Sequence, residues 1–200
     1  MTRIKICGIT NREDLLAAQK FGADAVGFIL AESPRQIDLK KVEKITEGLS
    51  PFISTVAVMV DPSREELEES IESRLFSHIQ LHGEKIPPIP ENIRTIRALS
   101  IKDEGDLSKL EDRRFDYFLL DNGKGGTGIP FDWTILERLR QKRSFILAGG
   151  LSTSNLKEAI DRFHPLGVDI NSTIEISPGI KDHLLMERII DLAHGANDGL

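Results

Sequence analysis

Strand-length apolar runs alternate with helical three-four patterns along the whole chain, and eight such units predict an α/β fold of the (β/α)8 or TIM-barrel class. Two further observations favour it. The strand runs show little polar alternation, as in residues 25–30 (Ala25, Val26, Gly27, Phe28, Ile29, Leu30), which marks strands covered on both faces and hence parallel. The chain has 200 residues and no low-complexity segment or Ser/Gly-rich linker, which fits one domain over 1–200.

The first unit begins with the alternating Arg3, Ile4, Lys5, Ile6 and Cys7. Thr10 to Glu13 has capping-box spacing and opens a helix with Leu15, Ala17 and Ala18 inward, ending near Gly22. Leu39, Val42, Ile45 and Leu49 share the next helical face. The β-branched run 52–60 follows, and Ser63 with Glu66 forms a second capping box before Leu67 and Ile71. Residues 77–81 read as the fourth strand. Pro87, Pro88 and Pro90 then rule out a regular helix, so the fourth crossover is short or irregular. Residues 95–99 and 117–120 read as strands flanking a short helix over 106–110. Ile135, Leu136 and Leu139 mark a further helix, capped by Asp132 after Pro130. Residues 145–148 and 167–170 complete the strands. Leu156, Ala159, Ile160 and Phe163, then Leu185, Ile189 and Leu192, form the last helical faces.

Composition limits the partners. A net charge of −6, with Lys and Arg interspersed among Asp and Glu, offers no basic patch for nucleic acid or an anionic membrane. No apolar run approaches a membrane span and the first residues lack a signal-peptide core, so a cytoplasmic protein is expected. The single cysteine, Cys7, excludes an internal disulfide framework, and the histidines lack metal-ligand spacing. Small soluble ligands remain.

In a (β/α)8 barrel the chemistry sits at the carboxyl ends of the strands. That rule selects Cys7, Arg35, His82, Asp121, the turn Ala148-Gly149-Gly150, and Asn171-Ser172-Thr173. Asp121 ends a buried strand and precedes four glycines within residues 123–128, a titratable group beside backbone that can bend around a ligand. Cys7 is a base if its thiol is tuned towards the working pH. Gly149 and Gly150, with Asn171 and Ser172, fit the phosphate site that such barrels build from their last two loops. Arg35 can hold a carboxylate bidentately; His82 is read as structural.

Taken in order, Lys5-Ile6-Cys7-Gly8-Ile9-Thr10, Gly22-Ala23-Asp24-Ala25-Val26-Gly27-Phe28, Gln80-Leu81-His82-Gly83, Leu120-Asp121 with Gly125-Gly126-Thr127-Gly128 and Phe131-Asp132-Trp133, and Ala148-Gly149-Gly150-Leu151 make the chain resemble the phosphoribosylanthranilate isomerase family nearly end to end. The resemblance implies a cofactor-free isomerase of L-tryptophan biosynthesis. It would convert N-(5-phosphoribosyl)anthranilate into 1-(2-carboxyphenylamino)-1-deoxyribulose 5-phosphate by an Amadori rearrangement. It further implies Asp121 as general acid, its pKa raised by burial or a nearby anion, and Cys7 as general base. Arg35 would meet the anthranilate carboxylate and the last two loops the phosphate. Where the family commonly has a Ser-Ser-Gly kind of turn, this chain reads Asn171-Ser172-Thr173, and threonine does not supply positive φ as glycine does. Phosphate contacts are therefore expected from Asn171 or Ser172. The rival readings are another sugar-phosphate barrel of the same pathway, in which Cys7 and Asp121 have no paired task, and a non-catalytic sugar-phosphate-binding barrel. A monomer is favoured over a homodimer.

Overall fold

The structure is a computed structural model that describes residues 1–101, 104–121 and 144–195. Eight parallel strands close into a barrel: β1 (Arg3–Ile6), β2 (Ala25–Ile29), β3 (Ser54–Val60), β4 (His78–His82), β5 (Arg94–Ser100), β6 (Tyr117–Asp121), β7 (Ile146–Leu147) and β8 (Gly167–Ile170). Closure, which a count of strands cannot prove, is made by β8 pairing back onto β1, with Lys5 opposite Asp169 and Ile6 opposite Ile170. The helices are α1 (Arg12–Phe21), α2 (Leu39–Thr46), α3 (Arg64–Glu72), α4 (Leu156–Phe163) and α5 (His183–His194). The helix expected around Ile135, Leu136 and Leu139, its cap Asp132 and the glycine-rich residues 122–128 lie outside the described residues.

Because strand side chains alternate, each strand feeds two cores. Ile4, Ile6, Val26, Phe28, Ile79, Leu81, Leu120 and Val168 pack outward against Leu15, Val42, Leu67, Leu156 and Ile189 of the helices. Cys7, Val56, Val58, Ile96, Ala98, Leu119 and Ala148 form a separate cluster on the other face, filling the barrel interior. Leu15 and Leu67 are essentially inaccessible, each worth about 1.5–3 kcal/mol of burial.

Local chemistry sets the helix starts. In α3 the expected capping box is present: Glu66 N–H donates to Ser63 Oγ at 3.2 Å and Ser63 N–H to Glu66 Oε2 at 2.7 Å. In α1 the cap lies one residue later than expected. Asn11 Oδ1 accepts from Asp14 N at 2.8 Å, because the Thr10 hydroxyl is drawn away to donate to the Gly179 carbonyl at 2.6 Å. The inward face of α5 is Met186, Ile189, Ile190 and Ala193, with Leu185 and Leu192 only partly buried. A shift of one position along a helix turns the face by 100°, and apolar residues on both sides of the stripe made the two phases alike.

The fourth crossover is irregular, as its prolines require, and Ile86, Ile89 and Ile93 cover the core where a helix would stand. The expected short helix over 106–110 is a 3-10 helix at Glu104–Glu111. Beyond the expected elements, a 3-10 turn (Ser172–Ile174) follows β8 and leads into an antiparallel hairpin, β9 (Glu175–Ser177) and β10 (Ile180–Lys181). Among the described residues no helix is long and apolar enough to cross a membrane.

Candidate active site

At the carboxyl end of the barrel one cavity of about 250 Å³ is lined by Cys7, Arg35, His82, Asp121, Gly149, Gly150, Asn171, Ser172 and Thr173. Every residue selected from the sequence by its place after a strand therefore reaches the same space. A larger hollow, about 670 Å³, lies at the opposite end beside Pro87, Pro88 and Pro90 and the starts of β5 and β6, and holds neither Cys7 nor Asp121. Volume is a poorer guide than convergence of polar groups, and the smaller cavity is the candidate site.

Cys7 extends β1, its N–H donating to the Ile170 carbonyl of β8 at 2.8 Å, which holds its backbone in the barrel wall. Burial pushes that thiol above its ordinary pKa, while the Lys5 ammonium pulls in the opposite direction. Asp121 is the last residue of β6, in register with Ser100, and sits half-buried at the rim. His82 Nε2 accepts from Gln80 Nε2 at 2.8 Å; burial first, then Lys5 and Arg97, drives its pKa down to about 4, so the ring is neutral at physiological pH. Gln80 Oε1, in the same wall, is buried without a hydrogen-bond partner among the described residues.

The β8 side of the cavity is held by a buried charge network. The Arg35 guanidinium grips Glu175, Nε at 2.8 Å from Oε1 and Nη2 at 2.6 Å from Oε2. Lys181, with its side chain fully enclosed, donates to Glu175 Oε1 at 3.0 Å and to Asn171 Oδ1 at 2.9 Å. Against the cost of burial, Arg35 and Lys181 hold the Glu175 carboxyl below its usual range. Arg35 thus already spends the bidentate edge foreseen for a ligand carboxylate on a protein carboxylate. Gly8 makes room for this arrangement: its φ is +73°, and a Cβ there would stand 2.6 Å from Asn171 Oδ1 and 2.9 Å from Arg35 Cδ.

Thr173 does not adopt the positive φ that a glycine would offer in its place. It lies in the 3-10 turn, and among the described residues the non-glycine positions at positive φ are Asp61, Arg74 and His164. Its hydroxyl donates to the Leu151 carbonyl at 2.5 Å, tying the loop after β8 to the loop after β7. Among the described residues no group of three or more His, Cys, Asp or Glu side chains forms a cation site.

The family model described as N-(5'phosphoribosyl)anthranilate (PRA) isomerase matches residues 4–192. The chain belongs to this isomerase family. A relative from Petrotoga mobilis named N-(5'-phosphoribosyl)anthranilate isomerase is 46% identical over 199 residues, covering 96% of both chains. One of the same name from Thermotoga neapolitana is 40% identical, with 98% of this chain and 100% of its own covered. The crystal structure of phosphoribosyl anthranilate isomerase from Thermotoga maritima superposes with a TM-score of 0.89 at 38% identity, over 98% of this chain and 100% of that one. A crystal structure of phosphoribosyl anthranilate isomerase in complex with reduced 1-(o-carboxyphenylamino)-1-deoxyribulose 5-phosphate superposes at 0.87 with 37% identity and the same coverage.

As a phosphoribosylanthranilate isomerase family member of tryptophan biosynthesis, the chain carries four charged residues at this end of the barrel that sequence reasoning did not select. Lys5 and Asp169 form an ion pair of 2.7 Å inside the barrel, with side chains only 5% and 9% exposed. A signal existed for Asp169, a charge in the otherwise apolar β8, whereas Lys5 alternates with Ile4 and Ile6 beside the charged Arg3 and gave a weaker one. Glu175 and Lys181 gave none, because they belong to a hairpin that lies between the last strand and the last helix and has no apolar alternation.

Proposed function

We propose that this chain catalyses the Amadori rearrangement of N-(5-phosphoribosyl)anthranilate, with Asp121 as general acid and Cys7 as general base. Asp121, which must carry a proton to act as the acid, donates it to the furanose ring oxygen. The C1–O bond breaks and the nitrogen lone pair forms the C1 iminium. That cation acidifies the neighbouring C–H, and the Cys7 thiolate removes the C2 proton while the C–H pair becomes the C1–C2 double bond. Loss of the hydroxyl proton at C2 and protonation at C1 then give the aminoketose. The thiol's elevated pKa makes its thiolate a stronger base once formed, and the adjacent iminium favours the anion at the step that needs it.

The single observation that carries this reading is the shared cavity: a thiol from the end of β1 and a carboxyl from the end of β6 border one space of substrate size. Gly149, Gly150, Asn171 and Ser172 then fall to the phosphate. Because Glu175 occupies the Nε–Nη2 edge of Arg35, the anthranilate carboxylate would meet its remaining Nη1 side. The Thermotoga maritima relative is described as dimeric, and size-exclusion chromatography with light scattering decides between monomer and homodimer for this chain.

The test is a fluorescence turnover assay on freshly prepared phosphoribosylanthranilate. Cys7→Ala and Asp121→Asn should each abolish turnover while the reduced product analogue still binds. Full-rate turnover in Cys7→Ala defeats the acid–base assignment, and binding without turnover in the wild type favours a non-catalytic barrel.

A further inference from the structure

We infer that Lys5 is a positioning residue for this reaction: clamped by Asp169 and brought beside Cys7 over the bare backbone of Gly27, its ammonium steadies the Cys7 thiolate. The inference rests on Cys7 being the base. Lys5 and Cys7 stand two apart in one strand direction, so their side chains leave the sheet on the same, inner face. Asp169 is the register partner of Lys5 across the β1–β8 seam, and Nζ lies 2.7 Å from its Oδ1. Across the other seam is Gly27 of β2, whose φ is ordinary. A Cβ there would fall 2.9 Å from Cys7 Sγ, 3.0 Å from Lys5 Cε and 3.2 Å from Lys5 Nζ, so the sulfur and the ammonium share the space a side chain would fill, within about 6 Å of each other.

A purely structural account leaves this layer unexplained. Branched apolar side chains fill barrel interiors without the desolvation cost of an ion pair, and Val56, Val58, Ile96 and Leu119 do so in the same interior. Other charges also bear on the thiol. Asp169 of β8 opposes its ionisation, Lys181 of β10 favours it, Arg35 after β2 is coupled to it, and Asp121 and a neutral His82 border the same cavity. Among these, the Lys5 attraction outranks the Asp169 repulsion. Burial works against the charge on Lys5, but Asp169 and then Cys7 outweigh it and raise its pKa, so Lys5 stays an ammonium and acts by its field rather than by passing a proton.

Because Cys7 is the chain's single cysteine, the ultraviolet absorbance of its thiolate, taken as a difference against Cys7→Ser, titrates this one group. Three variants are compared with wild type. Lys5→Gln removes the charge; Lys5→Met with Asp169→Asn removes it without stranding a carboxylate; Gly27→Ala keeps every charge and drives the two heads apart. In each the thiol midpoint should rise by about one pH unit, leaving about tenfold less thiolate at a given pH, and the acid limb of kcat/KM should move with it. An unchanged midpoint in the charge-removing variants, folded by near-ultraviolet circular dichroism, overturns the inference. A midpoint that moves while the rate profile stays put upholds the coupling and overturns Cys7 as the base.

Discussion

Replacing His82 by glutamine should make the protein markedly more resistant to acid. Burial, then Lys5 and Arg97, lowers the His82 pKa from the usual 6.5 to about 4. Between those values the unfolded chain binds a proton that the folded chain refuses, so stability must fall as pH drops through this window and be whole above it. One pKa unit is worth about 1.4 kcal/mol, which sets a ceiling of about 3 kcal/mol for the whole span. At pH 4.5 most of that is already spent, and the partial exposure of the ring trims the loss to about 2 kcal/mol. The contact of 2.8 Å with Gln80 adds a pH-independent cost of about 1 kcal/mol when it is removed. Urea unfolding of wild type and His82→Gln at pH 7 and pH 4.5 separates the two effects, since Asp24, Asp116, Glu175 and His78 titrate alike in both proteins. Wild type should lose about 2 kcal/mol more than the variant between the two pH values. Equal losses would refute the reasoning and mean that His82 is solvated enough to protonate in place.

Gly8→Ala should destabilise the fold by about 1–2 kcal/mol from the left-handed backbone alone and also raise KM, because the new methyl must displace Asn171 and Arg35; denaturant midpoints and steady-state kinetics read the two effects separately. Asn11→Ala should cost about 1 kcal/mol through the lost cap of α1, seen as a lower thermal midpoint; an unchanged midpoint would return the cap to Thr10.

The sequence by itself determined the succession of parallel strands and helices and the face on which the chemistry sits, while closure into a barrel rested on β8 meeting β1. Strand runs such as 25–30, apolar on both faces, can be buried only between an inner and an outer core, and strand-then-helix alternation leaves parallel pairing as the way to do it. Since all eight strands then end on one side, Cys7, Arg35, Asp121, Gly149 and Asn171 were legible as neighbours from their positions after strands alone. Register, caps and charge partners were not legible, because each depends on residues far apart in the chain. Thr10 ceded the cap to Asn11 only because Gly179 lies within reach, and Arg35 found Glu175 across 140 positions. Tertiary structure likewise decided that Lys5 faces Asp169 and meets Cys7 above Gly27. A one-residue slip of β1 would have turned that ammonium out of the barrel, and the pairing of β1 with both β2 and β8 rules the slip out.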